Sequence, residues 1–393
     1  MPRALWLLVI GMMANVMGSS FLWPLNTIYI HEHLGKSLTV AGVVLMLNSA
    51  ASVIGNLVGG VLFDRIGGYK SIMTGIIITL VAVVTLMFFH GWPIYIYLLI
   101  LIGFGSGIVF PATYALAGTV WPEGGRKAFN AIYVAQNIGV AAGASLGGIV
   151  ASISFQYIFL ANAALYAVFF LIAFFGFRNI NGVHVNSMLD QTAAVKHPQK
   201  FTALVTLCIG YLLCWVGYVQ WSTTISSHTQ TLNIPLNQYS LLWTVNGVLI
   251  VCAQPVLSQF VKHVAKTIKQ QMLIGYMIFI VSFLVAANAE HFIGFLIAMI
   301  ILTIGEMLVW PAVPTIADSL APKGRQGFYQ GFVNSTATGG KMIGPLLGGF
   351  IADYYNINFL FMVIISLLII GIFTTILYDK KLKPTVENAA ART

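Results

Sequence analysis

The chain has 393 residues, of which 59% are hydrophobic and only 7% charged, and its formal net charge is +9. A water-soluble domain carries about 25% charged residues. These proportions therefore exclude a soluble enzyme, a nucleic-acid reader and a disordered chain, and they place the protein in a lipid bilayer.

A helix that crosses the hydrocarbon core needs about 20 mostly apolar residues. Twelve such stretches follow one another: 4–30, 39–63, 71–90, 93–121, 128–151, 154–177, 201–226, 237–261, 270–288, 291–318, 327–353 and 357–379. No charged residue occurs between Lys127 and Arg178, or between Lys200 and Lys262. The first stretch begins like a secretory leader, with Arg3, an apolar run and Gly18-Ser19-Ser20. Its apolar character runs on to Tyr29, too far for a cleaved segment, so a retained helix is expected. Cys208, Cys214 and Cys252 sit in apolar stretches at no metal-ligand spacing and read as small buried residues. The expected fold class is an all-α membrane protein.

Lysine and arginine placement sets the orientation. With the N-terminus inside, 17 of the 19 basic residues fall in inner segments, Lys36 falls outside and Lys341 lies within a span. Both termini are expected in the cytoplasm. The only long polar connection divides the spans six and six. The expected organisation is a six-helix bundle over 1–180, a cytoplasmic linker over 181–200 and a second bundle over 201–393. The halves resemble one another. Phe110-Pro111-Ala112, followed by Trp121-Pro122-Glu123-Gly124-Gly125-Arg126, returns in outline as Trp310-Pro311-Ala312, followed by Ala321-Pro322-Lys323-Gly324-Arg325. Gly143, Gly147 and Gly148 match Gly344, Gly348 and Gly349, and Gly60-Val61-Leu62 aligns with Pro255-Val256-Leu257. Parallel repeats of this kind suit a transporter with its site between the halves.

The loop after the second span carries Gly60, Asp64-Arg65, Gly67 and Lys70. It resembles motif A of the major facilitator superfamily, although Gly68 and Tyr69 stand where basic residues are expected. Gly340, Gly344-Pro345 and Gly348-Gly349 resemble motif C of the drug:proton antiporter branch. Gly143, Gly147 and Gly148 occupy the matching places of the fifth span, where Ala144 replaces the proline. Glycines four apart let helices approach closely. The arginine of the family's motif B is absent from the fourth span. Spans 10 and 11 are similar to those of LmrP-type multidrug antiporters, most densely from Ile304 to Pro311 and from Ala317-Asp318 to Arg325. The resemblance implies twelve helices in two six-helix bundles, the major facilitator fold. It also implies substrate and proton binding at the carboxylate of span 10, here Glu306. Asp64 and Arg65, with Gly60, Gly67, Lys70, Asp318 and Arg325, are assigned by it to gating.

Glu306 lies near the middle of its span. A carboxylate there costs several kcal/mol unless it is paired, hydrated or protonated, so it is a candidate to load and release a proton. Lys341 shares its depth on the next span, and an interaction between the two is expected, directly or across a small water-filled space. Trp310 lies one turn beyond Glu306 and shares its face. Trp215, Tyr218, Gln220, Trp221, Trp243 and Asn246 are candidates for a cavity wall. Asn26, beside Trp23 and Pro24, and Tyr114 and Gln136 are candidates from the first half.

No nucleotide-binding GxxxxGK[ST] loop is present, so an ion gradient is expected to drive movement. The expected function is proton-coupled secondary transport, exporting lipophilic or cationic drug-like compounds by alternating access. The alternative is a proton-coupled carrier of a small anionic or zwitterionic metabolite, for which Lys341 speaks. No enzymatic role, metal or organic cofactor is expected; protons are the coupling ion. The expected partners are a small-molecule substrate and the lipid bilayer, with no nucleic acid. The expected state is a monomer, multi-pass in the bacterial inner (plasma) membrane.

Overall fold

The computed structural model describes residues 1–22, 26–153, 155–178, 180 and 198–382. Trp23, Pro24 and most of the linker expected at 181–200 lie outside them. Twelve long helices run in chain order among the described residues. They are α1 (Arg3–Leu22), α2 (Leu38–Ile66), α3 (Gly68–Phe88), α4 (Ile94–Val120), α5 (Arg126–Ile153) and α6 (Phe155–Gly176). The second set is α7 (Pro198–Tyr218), α8 (Leu236–Val264), α9 (Ile268–Ala287), α10 (Phe292–Val309), α11 (Gln326–Tyr354) and α12 (Ile357–Leu377). Nine helical segments among the described residues are long and apolar enough to cross a membrane. The less apolar helices are α5, α8 and α11.

Local chemistry starts and stops these helices. Ser37 Oγ accepts the Val40 N–H at the head of α2, and Asn356 Oδ1 accepts the Phe359 N–H at the head of α12. Thr267 and Gln270 form a reciprocal capping box for α9. Gly67, at φ 87°, turns the chain between α2 and α3, a conformation that glycine adopts without strain.

Two spans are interrupted. α7 passes at Tyr218 into a tighter turn, Val219–Ser222, and then a short helix, Thr224–Thr231. α10 ends at Val309, and the chain resumes as Ala312–Leu320. The Trp310-Pro311 junction explains the second break, because proline lacks the N–H that an unbroken helix needs.

The chain forms two compact units, Met1–Gln191 with Lys323–Thr338, and Thr192–Pro322 with Gly339–Thr393. In the first, α4 packs on α2 and α3, α3 on α6, and α1 on α5 and α6. In the second, α10 packs on α8 and α9, α9 on α12, and α7 on α12. The pairing is repeated six helices later. Glycines mark the same places. A Cβ on Gly75 would strike the Gly105 carbonyl, and one on Gly275 would crowd that of Gly305. Without water inside a bilayer to drive apolar burial, such close backbone packing is what holds helices together.

The segment 323–338 was expected with the second bundle, but it is counted with the first unit. The physical reason is its contacts with α2. Asp64 accepts the Gly327 and Phe328 N–H groups, both at 2.8 Å. Ser335 Oγ donates to the Val53 carbonyl at 2.9 Å, and Asn56 Nδ2 to Thr338 Oγ1 at 3.2 Å. Cys208 and Cys214 are buried, as read from the sequence, whereas Cys252 is exposed. It shares the outward face of α8 with the exposed Val248 and Val251, so its apolar surroundings marked a lipid-facing surface rather than a core.

Candidate functional site

In the second unit, three helices converge on one carboxylate. Glu306, on α10, is only 4% exposed. Its Oε2 accepts the Tyr218 hydroxyl at 2.8 Å from the end of α7, and Asn246 Nδ2 at 2.9 Å from α8. The same Asn246 amide reaches Thr303 Oγ1 at 2.9 Å, and Thr303 donates to the Met299 carbonyl at 2.7 Å. Thr303 precedes Glu306 by one helical turn, so α10 orients the asparagine that serves its own carboxylate. Both groups facing Oε2 are donors, the complement an ionised carboxylate requires. Each charge-assisted bond is worth about 1.5–3 kcal/mol.

An aromatic layer stands beside this cluster. Trp215 of α7 and Trp310 stack with centroids 4.3 Å apart and planes 5° from parallel. Tyr218 meets both edge-on, at 5.3 Å from Trp215 and 5.2 Å from Trp310. Phe279 of α9 and Tyr211 of α7 close on Trp310 at 5.6 Å each. Trp243 approaches Tyr218 edge-on at 6.4 Å, and its Nε1 donates to the Tyr239 hydroxyl at 3.1 Å.

The Lys341 ammonium stands over the Trp215 ring, 4.1 Å from its centroid. Trp310 already covers one indole face, and two neighbours at such distances fit only on opposite faces. Lys341 is exposed to solvent-sized molecules although protein surrounds it, and the Glu306 charge acts on it. The order across the stack is therefore Lys341, Trp215, Trp310. Gly340 seats the arrangement, since a Cβ there would strike the Trp215 Cβ.

The sequence-predicted residues divide into groups. Glu306, Lys341, Trp215, Tyr218, Trp243, Asn246 and Trp310 come together in the second unit. Gln220 does not join them. It is fully buried, and its amide donates to the Val216 and Gly344 carbonyls at 2.9 and 2.7 Å, bridging the break in α7. Trp221 is also fully buried, against Phe283. In the first unit, Asn26 accepts the Tyr95 hydroxyl at 2.7 Å and is 5% exposed. Tyr114 bonds to Gln136, whose Nε2 lies 3.8 Å from the Met12 sulfur, and stacks on Phe129.

The motif residues are placed as follows. Asp64 caps the first turn of α11, where its charge meets the positive end of the helix. Gly60 and Gly327 meet backbone to backbone with no room for a Cβ on either. Arg325 lies within electrostatic reach of Asp64. Arg65 and Lys70 are exposed, and Asp318 is half-buried. Gly143 and Gly147 lie against the Met17 and Phe21 carbonyls of α1, and Gly148 falls within α5. Gly344 and Gly348 lie against Val219 and Gln220, Pro345 sits within α11, and a Cβ on Gly349 would meet none of the described residues within 4 Å.

Sequence reasoning missed Thr303, Tyr211 and Phe279. Helical spacing could have found the first two, since Thr303 lies three residues from Glu306 and Tyr211 four from Trp215. Phe279 carries no such signal in a uniformly apolar α9. Among the described residues, no group of three His, Cys, Asp or Glu could hold a metal ion.

Comparison with known proteins bears on this arrangement. The sequence profile of the Major Facilitator Superfamily matches residues 8–340 and 229–392. The chain is 65% identical over 390 residues to the MFS-type transporter YttB of Bacillus subtilis (strain 168), covering 99% of this chain and 98% of that protein. It is 24% identical over 366 residues to the quinolone resistance protein NorA of Staphylococcus aureus (strain MSSA476), covering 90% and 91% of the two chains. The crystal structure of the human organic anion transporter MFSD10 superposes with a TM-score of 0.75 at 13% identity, over 95% of this chain and 100% of that one.

Proposed function

Because the chain belongs to the major facilitator superfamily, and is a multi-pass membrane transporter rather than an enzyme, we propose that it is a proton-coupled secondary transporter that exports lipophilic compounds by alternating access. The observation that carries the reading is Glu306, an acid in the interior of a spanning helix with Tyr218 and Asn246 both donating to one oxygen. A proton arriving there removes the charge these donors serve and loosens their hold. Tyr218 belongs to α7 and Asn246 to α8, so protonation is felt by two further helices at once. That is the local event an ion-driven conformational cycle needs.

Membership of the drug:proton antiporter branch, with its LmrP-type resemblance, rests on the glycine motifs and the density of likeness around Glu306. The resistance function in the name of NorA supports a drug-like substrate. The distribution of basic residues supports a plasma-membrane protein with both termini in the cytoplasm.

A second reading, a proton-coupled carrier of a small anionic or zwitterionic metabolite, is favoured by Lys341, a cation exposed beside the same cluster. Reconstituted proteoliposomes test the first reading. An imposed pH gradient should drive uptake of a lipophilic dye into vesicles holding the wild-type protein, and Glu306→Gln should abolish it. Full gradient-driven uptake by Glu306→Gln would discard the proposed role.

A further inference from the structure

Lys341 is an unusual side chain to find within a spanning helix. Lysines at such positions pair with acids or carbonyls, or else mark a substrate path. Here the ammonium rests on the Trp215 indole at 4.1 Å. A ring face satisfies a cation electrostatically, by about 2 kcal/mol when desolvated, but it accepts none of the three N–H bonds an ammonium can donate. Tyr218 and Asn246 both donate to Oε2 of Glu306. Lys341 thus retains donor capacity, is solvent-accessible, and covers a flat aromatic surface backed by Trp310.

From this geometry we propose that Lys341 and Trp215 form a subsite for planar aromatic carboxylates. The proposal rests on the second reading above and deepens it. The substrate ring takes the Trp215 face that the ammonium now covers, and the ammonium moves to the ring's edge to bond the carboxylate. The exchange replaces a cation–π contact by a charge-assisted bond and an aromatic stack. Trp310 keeps the indole flat and fixed from behind, and Gly340 keeps its Cβ seated against α11. A neutral ring gains only the stack, because it must displace the ammonium without giving it an acceptor. An aromatic amine brings a second cation beside the first. The order of preference is therefore acid, alcohol, amine.

Calorimetric titration of the full-length protein in lipid nanodiscs, with no pH gradient, tests this with three probes of one shape: 1-naphthoate, 1-naphthalenemethanol and 1-naphthylmethylammonium. Wild-type protein should bind the naphthoate at least tenfold more tightly than the alcohol, and the ammonium weakest. Lys341→Gln should lose at least tenfold in naphthoate affinity with the alcohol bound as tightly as before or more tightly, and Lys341→Arg should retain binding within about threefold. Glu306→Gln should bind naphthoate as tightly as wild type or more so, because a competing negative charge is gone. Equal binding of the three probes, a preference for the ammonium, or undiminished naphthoate binding in a folded Lys341→Gln would overturn the proposal. If Lys341→Gln fails to fold, the probe series on wild-type protein decides alone. Loss of proton coupling leaves these affinities untouched, so the two readings fail separately.

Discussion

The planes of Trp215 and Trp310 lie 5° from parallel at 4.3 Å, and the Lys341 ammonium stands 4.1 Å from the Trp215 centroid. The two stacked indoles are braced edge-on by Tyr218, whose hydroxyl donates to Glu306. In the readings proposed above, the carboxylate is addressed by a proton and the ammonium by an anion.

Tyr218 touches both sides of the arrangement, its ring in the aromatic layer and its hydroxyl on Glu306. Tyr218→Phe keeps the ring and removes one charge-assisted bond, worth about 1.5–3 kcal/mol. Gradient-driven transport should fall by about one to two orders of magnitude, and the melting temperature should fall as well. Initial rates in proteoliposomes and a melting curve measure the two effects. Unchanged rates would mean that the bond has no part in the cycle.

Asn246 and Tyr218 donate to the same oxygen, so their removal should not be additive. A cycle of Asn246→Ala, Tyr218→Phe and the double variant should show a coupling of about 0.5–3 kcal/mol in transport rate. Strict additivity would indicate independent roles.

Asp64 satisfies two N–H groups at the head of α11. Asp64→Ala leaves both unpaired at a cost of about 0.5–2 kcal/mol, and Asp64→Asn, which keeps an acceptor oxygen, should cost less. Hydrogen exchange at Gly327 and Phe328 should accelerate in the order wild type, Asn, Ala. Exchange equal to wild type in the alanine variant would contradict the cap.

Lys269 bonds Asp379 and the Ile376 carbonyl, at the N-terminal end of α9 and the C-terminal end of α12. Both charged side chains are about a quarter exposed, so the pair belongs with partly solvated ion pairs of modest worth. Lys269→Ala should lower stability by less than about 1 kcal/mol and leave transport intact. A thermal unfolding comparison checks it.

Much of this was legible in the sequence. Twelve apolar stretches and the glycine pattern were enough to place every long helix, because a bilayer tolerates little else. The breaks at Tyr218 and Trp310-Pro311 were not seen, since apolar runs continue through both. Glu306 and Lys341 stood out because charge is so rare in this chain. The aromatic layer beside them did not, because it depends on which faces of α7 and α10 meet. Asn26, Gln220 and Trp221 illustrate the converse. A polar or aromatic side chain in an apolar helix looks the same from sequence whether it lines a path or ties two helices together. Here Tyr95, the Gly344 carbonyl and Phe283 engage them.

The row Gly340, Gly344 and Gly348 brings the α11 backbone directly against α7 and its continuation, with Trp215, Val219 and Gln220 filling the space. Gly344→Ala should therefore cost about 1–3 kcal/mol through overpacking, read as a lowered melting temperature. The same seam has a consequence for selectivity. If the chain works by the proposed alternating access, helices locked along a smooth backbone track travel together, and Trp215 on one and Lys341 on the other keep their spacing whichever side of the membrane they face. On that proposal the molecule measures its cargo with one fixed gauge at loading and at release, and direction comes from the proton alone.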